Sequence, residues 1–568
     1  MFMKRLDFLV FMLTVVQIAF AQSFVRVNQV GYAVGMPKVA TVANLDATFF
    51  ELKDAKSNEV VYKGNLGKSA FWIYSRETIQ SADFSDFNQE GTYYMEVNDE
   101  KSFPFVIGNS DSLYSDLTKA TMRAFYYWRA STPIEKPYSV FRGVDYSRKS
   151  GHPDTLVYIH QSASSEQRRA MSTLSSPGGW YDAGDFGKYV VNAGITLHQL
   201  VSSYEFYPKY YKNLSLNIPR KEKSLSCDFL EELKWEYDWL FTMQDPNDGG
   251  VYHKLTSLQF CEYIMPEFDD NDRFMMAKST AATLDFVAEM AMGARVFRKE
   301  NPEYALKALK AAEKAWNWAM NNPTVYFNNP PDVFTGGYED RSVDDELFWA
   351  ATEMFITTGE KKYFDKMDFF QKFDTPSWHN VNTLGLITLM AHKDELPNYV
   401  DVDKIDAKFK GVAVSLYNSF KFSPGRVALK KFVWGGNGDV ASNGAILGLA
   451  YRLYKDDKFK EAMFANFDYL LGANPTEYSF ISGFGKKYPM RLHDRRCMAD
   501  GIDEPIPGYL AGGPNDSEMA DCGKQNYPSS APARCYLDES CSYSTNEVAI
   551  NWNAPLVLLI SMIENIDK

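Results

Sequence analysis

The spacing of apolar and polar positions changes once along this chain. Between residues 24 and 108 the two kinds alternate, as in Phe24-Val25-Arg26-Val27-Asn28-Gln29-Val30 and in Gly91-Thr92-Tyr93-Tyr94-Met95-Glu96-Val97 before an Asn98-Asp99 turn. Alternation sends successive side chains to opposite faces of a strand. Val39-Ala40-Thr41-Val42 follows Pro37 in the same manner, and Phe103-Pro104-Phe105-Val106-Ile107 reads as a closing strand. Evenly spaced strands over about 85 residues predict a small β-sandwich, whose expected work is structural support. After residue 111 apolar positions recur every three or four residues. This predicts helices over 113–128, 189–206, 229–243, 279–297, 302–320, 345–357, 384–392, 405–420, 441–454, 459–470 and 547–563. No short repeat is visible, so a solenoid of uniform units is disfavoured. A closed double ring suits such helices, since each then buries one stripe, but periodicity does not separate it from another large helical domain.

The chain's 568 residues suffice for more than one domain, and its net charge of −13 argues against a nucleic-acid or anionic-membrane partner. Its aromatic content is 15%, with 11 Trp, 35 Tyr and 40 Phe, in excess of core needs and suited to a ligand that presents C–H faces. Lys4 and Arg5 precede a mostly apolar run from Leu6 to Phe20, and Ala19-Phe20-Ala21 offers a small-x-small cleavage site. Residues 1–21 therefore read as a secretory signal removed after Ala21. That run is shorter than the roughly 20 residues a spanning helix needs, so no membrane insertion is expected. Export opens Cys227, Cys261, Cys497, Cys522, Cys535 and Cys541 to disulfide formation. A bridge stapling the loop before Glu547 fits the crowding of the last three; the pairing stays open. No CxxC supports a thiolate zinc site.

Two acidic clusters carry the candidate chemistry. Gly178-Gly179-Trp180-Tyr181-Asp182-Ala183-Gly184-Asp185 places two carboxylates before a predicted helix, where free N–H groups and the helix dipole favour an anion. One could serve as a general base, or both could merely cap the helix. Glu547 stands after Asn546 and before Val548-Ala549-Ile550 and Trp552; apolar surroundings would keep it protonated, while a helix start would oppose that. An ionised carboxylate, a protonated one and flat rings on which a sugar stacks are what glycosidic cleavage requires. Between 474 and 495 a Gly-rich stretch ends in Arg491-Leu492-His493-Asp494-Arg495, a polar binding loop, and Tyr252-His253-Lys254 follows Asp248-Gly249-Gly250. No HExxH, phosphate loop or Gly-x-Ser-x-Gly elbow occurs.

Taken in order, these segments resemble glycoside hydrolase family 9, in the subgroup with an N-terminal immunoglobulin-like domain. Asn28-Gln29-Val30-Gly31-Tyr32 is similar to the opening of that domain, and Gly179 to Tyr189 to the first catalytic signature. Asp345-Glu346-Leu347-Phe348-Trp349, Trp434-Gly435, Ser479 to Arg495, Pro507 to Asn515 and Asn546-Glu547 follow in family order. The resemblance implies a signal at 1–21, the sandwich at 22–108 and an (α/α)6 barrel at 109–568 that hydrolyses β-1,4-glucan with inversion. It makes Asp185 the general base, Asp182 a holder of the attacking water and Glu547 the general acid. It places His253, Trp434, His493 and Arg495 at substrate-binding positions, and Asp345 and Glu346 where a structural calcium is often held. The chemistry itself needs no cofactor. Two departures stand out. The usual His-His-Arg reads His493-Asp494-Arg495, which would add a negative charge beside the cleft. The region that holds zinc in some relatives offers His152 and His160 without a cysteine, so no zinc is expected.

The expected protein is a secreted or periplasmic, monomeric endoglucanase acting on a β-glucan polysaccharide or oligosaccharide. Same-chemistry alternatives are an exo-acting cellodextrinase and a xyloglucan or mixed-linkage glucanase. A different class, a non-catalytic glycan-binding protein on a hydrolase scaffold, would have no need to keep three carboxylates.

Overall fold

The computed structural model describes residues 24–222, 224–517 and 521–566. The expected signal segment lies outside them.

The alternating segment folds into two facing sheets. The first runs in the order β1 (Val25–Arg26), β3 (Val39–Ala43), β7 (Glu77–Asp83), β6 (Ala70–Trp72). The second runs β2 (Tyr32–Ala33), β10 (Phe105–Gly108), β8 (Gly91–Val97), β4 (Phe49–Asp54), β5 (Val60–Asn65), with β9 (Glu100–Lys101) paired to β8. Their inner faces meet through Val25, Val27, Val42, Phe50, Leu52, Phe84, Tyr93, Met95 and Phe105. Alternation sends these residues between the sheets and their neighbours to the opposite face, where those of β1 and β3 are themselves covered.

Eleven helices of ten or more residues follow among the described residues: α1 (Ser115–Trp128), α2 (Val190–Phe206), α3 (Asp228–Met243), α4 (Thr280–Val296), α5 (Pro302–Asn321), α6 (Asp344–Thr358), α7 (Asn382–Ala391), α8 (Val402–Lys421), α9 (Gly436–Tyr454), α10 (Asp457–Leu470) and α11 (Ile550–Glu564). They fall into two kinds. α2, α4, α6, α7, α9 and α11 are buried on nearly every side, and α11 packs on α2, α2 on α4, α4 on α6, α6 on α7, and α9 on α11. α5 instead buries one stripe, Ala305, Ala308, Ala312, Ala315 and Ala319, against α4, and leaves its polar face to solvent. Small alanines at three- and four-residue spacing let the two helix axes approach closely.

Helical periodicity did not disclose one element. Five short strands, Thr173–Leu174, Val157–Ile159, Phe274–Met275, Lys254–Thr256 and Lys188–Tyr189, form a sheet in that order beside the helices. Two- and three-residue strands are too short to show a period.

The Asn28-to-Tyr32 motif binds the sandwich to the helical part. Asn28 Oδ1 accepts the N–H groups of Val30 and Gly31, while its Nδ2 donates to Asp468 at 2.8 Å. The N–H groups of Lys486 and Lys487 both donate to Gln29 Oε1, at 2.8 and 2.9 Å. Gly31 has φ of 134°, and a Cβ there would lie 2.3 Å from the Val106 carbonyl oxygen, so the turn admits only glycine.

The structure records one disulfide among the described residues, Cys522–Cys541, in the loop ahead of Glu547; Cys227, Cys261, Cys497 and Cys535 are free thiols.

Candidate active site

Asp182 and Asp185 lie in the loop between Trp180 and Lys188, ahead of α2, which begins only at Val190. They are not helix caps. Trp180 anchors the loop through both of its N–H groups: the indole donates to Glu232 Oε1 at 2.9 Å and the backbone N–H to Glu236 Oε2 at 2.6 Å. From the far end, buried Lys188 donates to the carbonyls of Ser176 and Gly178 and pairs with Asp154 at 2.7 Å.

Within this frame the two carboxylates differ. Asp182 is 1% exposed, and both its oxygens are occupied: Oδ1 accepts from Asn192 Nδ2 at 2.7 Å and Oδ2 from the Tyr338 hydroxyl at 2.6 Å. Burial, then the neighbouring Asp185 charge, lifts its pKa to about 7 against the opposing pull of those two donors. Asp185 accepts from the Gly187 N–H and the Tyr189 hydroxyl through Oδ2 alone. Its Oδ1 accepts no protein hydrogen bond among the described residues.

Glu547 reaches this loop from the other end of the chain. It lies three residues before α11 in extended backbone, rather than in the first helical turn expected. Backbone bonds close the gap: Ile550 N–H donates to the Asp182 carbonyl at 2.9 Å, and His493 N–H to the Asn546 carbonyl at 3.0 Å. Arg495 donates to the Gly184 carbonyl from its backbone N–H at 3.1 Å and from Nη1 at 3.0 Å. A Cβ on Gly184 would stand 2.2 Å from the His493 carbonyl oxygen, so this approach requires glycine. Burial, then the charges of Asp185 and Asp182, raises the Glu547 pKa well above the ordinary carboxylate range. Arg495, and the indole N–H of Trp434 that donates to Oε2 at 3.1 Å, pull the other way.

Three aromatic rings remain open beside these groups: Trp434 at 45%, Phe260 at 47% and Tyr263 at 42% exposed. The Tyr263 hydroxyl meets the Ser540 carbonyl and His493 Nδ1, both at 3.2 Å.

The structure thus gathers Asp182, Asp185, Glu547, Trp434, His493 and Arg495. It sets the other named residues apart. His253 is 1% exposed, stacked on Phe327 at 3.9 Å, with Nδ1 on the Ser279 hydroxyl and Nε2 on the Gly337 carbonyl. Both ring nitrogens are engaged within the protein, and burial lowers its pKa to about 3. It supports the loop carrying Tyr338, one layer behind the carboxylates. Asp345 and Glu346 lie in the first turn of α6, in a separate acidic group with Asp285 and Asp340. The expected charge of Asp494 beside the cleft is corrected: Asp494 is fully buried, caps the 495–499 helix through the Cys497 N–H and pairs with Arg496.

Sequence reasoning missed Tyr338 and Asn192. Asn192 sits in the first turn of α2, ten residues after Asp182, and nothing in its surroundings distinguishes it from other buried polar residues. Tyr338 follows Gly336-Gly337 and has φ of 50°, a left-handed conformation that a bulky residue adopts only under constraint. The glycine pair marks a turn and does not reveal where the ring points.

The chain matches Glycosyl hydrolase family 9 over residues 114–560 and Cellulase N-terminal ig-like domain over residues 21–102. It belongs to glycosyl hydrolase family 9. It is 36% identical over 560 residues to a xyloglucan-specific endo-beta-1,4-glucanase of Bacteroides ovatus, covering 95% of this chain and 93% of that protein. Endoglucanase D of Acetivibrio thermocellus is 35% identical, over 96% of this chain and 84% of its own length. The solved structure of a Bacteroides ovatus family 9 protein superposes with a TM-score of 0.88 at 35% identity, over 96% of this chain and 99% of that one.

Because the Tyr338 hydroxyl donates to the Asp182 carboxylate, Tyr338→Phe favours the protonated form of Asp182. The expected result is a fall in kcat of roughly 10–100-fold, with the acid limb of the pH–rate profile moved to higher pH. Steady-state kinetics across pH on a soluble β-glucan would read both, and an unmoved acid limb would count against this contact.

Proposed function

We propose that the chain is an endo-acting β-1,4-glucanase that inverts the anomeric centre. The observation that supports this reading most is the unequal state of three carboxyl groups in one site. Inversion needs a carboxylate with an oxygen free for water and, across the sugar, a carboxyl that still holds its proton. Asp185, with Oδ1 uncommitted, is assigned as the base. Asp182, with both oxygens bound, orients that water rather than deprotonating it. Glu547, whose surroundings keep it protonated, donates to the leaving oxygen. Trp434, Tyr263 and Phe260 offer stacking faces, and His493 and Arg495 line the same site. The six nearly all-buried helices and their outer partners are assigned to an (α/α)6 barrel spanning residues 109–568, with the sandwich at 22–108. A monomeric protein, exported with removal of residues 1–21, completes the reading; among the described residues no helix is long and apolar enough to cross a membrane.

The relative named as xyloglucan-specific makes xyloglucan the first polysaccharide to test beside cellulose derivatives. We infer no zinc role for His152 and His160. His152 is engaged by the Tyr181 hydroxyl and Asp269, and His160 by the Ser162 hydroxyl and Asp332. A structural calcium fits better. Both carboxylate oxygens of Glu346 and of Asp285, Asp340 Oδ2 and Asn380 Oδ1 are buried without a protein donor. No three Asp, Glu, His or Cys side chains among the described residues converge tightly enough to cage an ion alone. Asp345 and Glu346 would hold calcium together with carbonyl and water oxygens, as that ion accepts.

Asp185→Ala and Glu547→Gln should each lower kcat by roughly 10²–10⁴-fold, followed as reducing-sugar release from xyloglucan, carboxymethylcellulose and cellohexaose. NMR of the first product should show the α-anomer; a β-anomer, or substantial activity in both variants, would contradict the assignment. Trp434→Phe keeps a stacking ring but removes a donor to the Glu547 carboxylate, so the proton is held more firmly. The basic limb should therefore move to higher pH.

Chelation with EDTA should lower the Tm, and added Ca²⁺ should restore it better than Mg²⁺. Saturation at a hundred times Kd corresponds to about 2.7 kcal/mol. A Tm insensitive to both treatments would remove calcium from the account.

A further inference from the structure

The hairpin formed by β6, residues 73–76 and the start of β7 belongs to the sandwich by sequence, yet it is built into the helical domain. Trp72 is 3% exposed and lies in the helical domain's apolar core rather than that of its own sheets. Its ring presses on Gly425, where a Cβ would stand 2.2 Å away, and meets Phe432 edge-on at 6.1 Å. Tyr74 packs on the same Phe432 at 5.5 Å, and its hydroxyl donates to the Lys430 carbonyl at 2.9 Å. Two residues beyond Phe432 stands Trp434, which hydrogen-bonds Glu547.

The same hairpin grips a second segment. Ala533 N–H donates to the Tyr74 carbonyl at 2.9 Å, Arg76 Nη1 to the Ser530 hydroxyl at 3.2 Å, and Arg534 lies 3.8 Å from Glu77, itself paired with Arg26. This segment runs on to Tyr536, whose hydroxyl donates to Asn546 Oδ1 at 2.5 Å, and to Leu537, whose N–H donates to the Thr545 hydroxyl. Asn546 and Thr545 immediately precede Glu547. One hairpin therefore holds both the segment that delivers a donor to this carboxyl and the segment that fixes its backbone.

We propose that the 72–77 hairpin of the β-sandwich is a positioning element for the general acid, with Trp72 and Tyr74 acting on Glu547 through Trp434 and the 530–537 segment. The sandwich is then a working part of the site, not only a support. The inference rests on Glu547 being the acid, and its mechanism is geometric. The Trp434 ring packs on Tyr543 at 5.2 Å, yet 45% of the residue is exposed, so its aim depends also on how firmly residues 425–433 are held. Charged and titratable groups facing Glu547 are Asp185, Asp182, Arg495 and Tyr263. None of them touches the hairpin, so an effect of the hairpin on the acid must travel through the two held segments.

The test compares Trp72→Ala, Tyr74→Phe and, as a control elsewhere in the same interface, Gln29→Ala, all in the full chain. Tyr74→Phe keeps the ring and loses one hydrogen bond, so it provides a folded variant should Trp72→Ala not fold. Expected are about a tenfold fall in kcat with a smaller change in KM, and a basic limb moved in the direction that Trp434→Phe moves it. Gln29→Ala should lower the Tm and leave that limb in place. Combining Tyr74→Phe with Trp434→Phe should move the limb no further than Trp434→Phe alone, since the two act in series. Hairpin variants with wild-type kcat and basic limb, or indistinguishable from Gln29→Ala, would overturn the proposal. Activity surviving in Glu547→Gln would instead sink the assignment of the acid itself.

Discussion

Everything the site can do depends on a few backbone hydrogen bonds, two of which join parts of the chain more than 300 residues apart. The Asp182 and Gly184 carbonyls accept from Ile550 and Arg495, and Asn546 accepts from His493. These bonds hold loops, not regular elements, so no ladder repeats them. Each must be set by what lies behind it: Trp180 on Glu232 and Glu236, Lys188 on Asp154, Asp494 on Arg496. A glycine at 184 is the steric condition for the contact, since any side chain there would meet the His493 carbonyl. Catalytic geometry is thus carried by irregular backbone pinned by buried charge pairs, which tolerate little displacement because a broken pair leaves an uncompensated charge.

Gathering three carboxyl groups in that space has an electrostatic consequence. Burial and mutual repulsion disfavour ionisation of Glu547 and Asp182, and the protein divides the relief unequally between them. Asp182 receives two short donors and still titrates near 7, whereas Glu547 receives one indole N–H and the more distant Arg495. A carboxyl with a raised native pKa binds its proton more tightly folded than unfolded. The stability it contributes is complete below the unfolded value near 4 and is lost as pH rises toward the native value. For Asp182 that window runs from about 4 to about 7, so gathering the three carboxyl groups weakens the fold progressively across that range.

Much of this was legible in the sequence, and the reasons are particular. A helix such as α5 shows because a buried stripe imposes a period, and the 302–320 expectation differs from it by one residue. The sandwich shows for the same reason at period two. The five-stranded sheet beside the site did not, since Lys188–Tyr189 and its partners are too short to display a pattern. Asp182, Asp185 and Glu547 were visible because acidic residues among glycines and aromatic rings are uncommon. Their surroundings were not visible. Tyr338 and Asn192 resemble many other polar residues until the backbone turns them toward Asp182. His253 and Asp494 illustrate the converse: residue type suggested a group facing the cleft, and packing turned each inward to hold a loop.

The division between a supporting domain and a working domain follows sequence boundaries more closely than it follows physics. Loops that carry function must leave part of their backbone unpaired to admit a ligand, and what remains needs partners from outside the loop. Here the sandwich supplies many of them. Gln29 occupies the N–H groups of Lys486 and Lys487, Tyr74 the Lys430 carbonyl and the Ala533 N–H, and Trp72 fills the space beside Gly425. The 425–434 and 530–537 segments lead to Trp434 and Asn546 beside Glu547, and both are braced by the small domain. A helical domain alone would have to satisfy these groups with water, and water at 430 or 533 would leave the Trp434 and Asn546 segments free to shift. The sandwich therefore forms an outer wall behind the segments that carry Trp434 and Asn546, joined to them by residues far upstream in sequence.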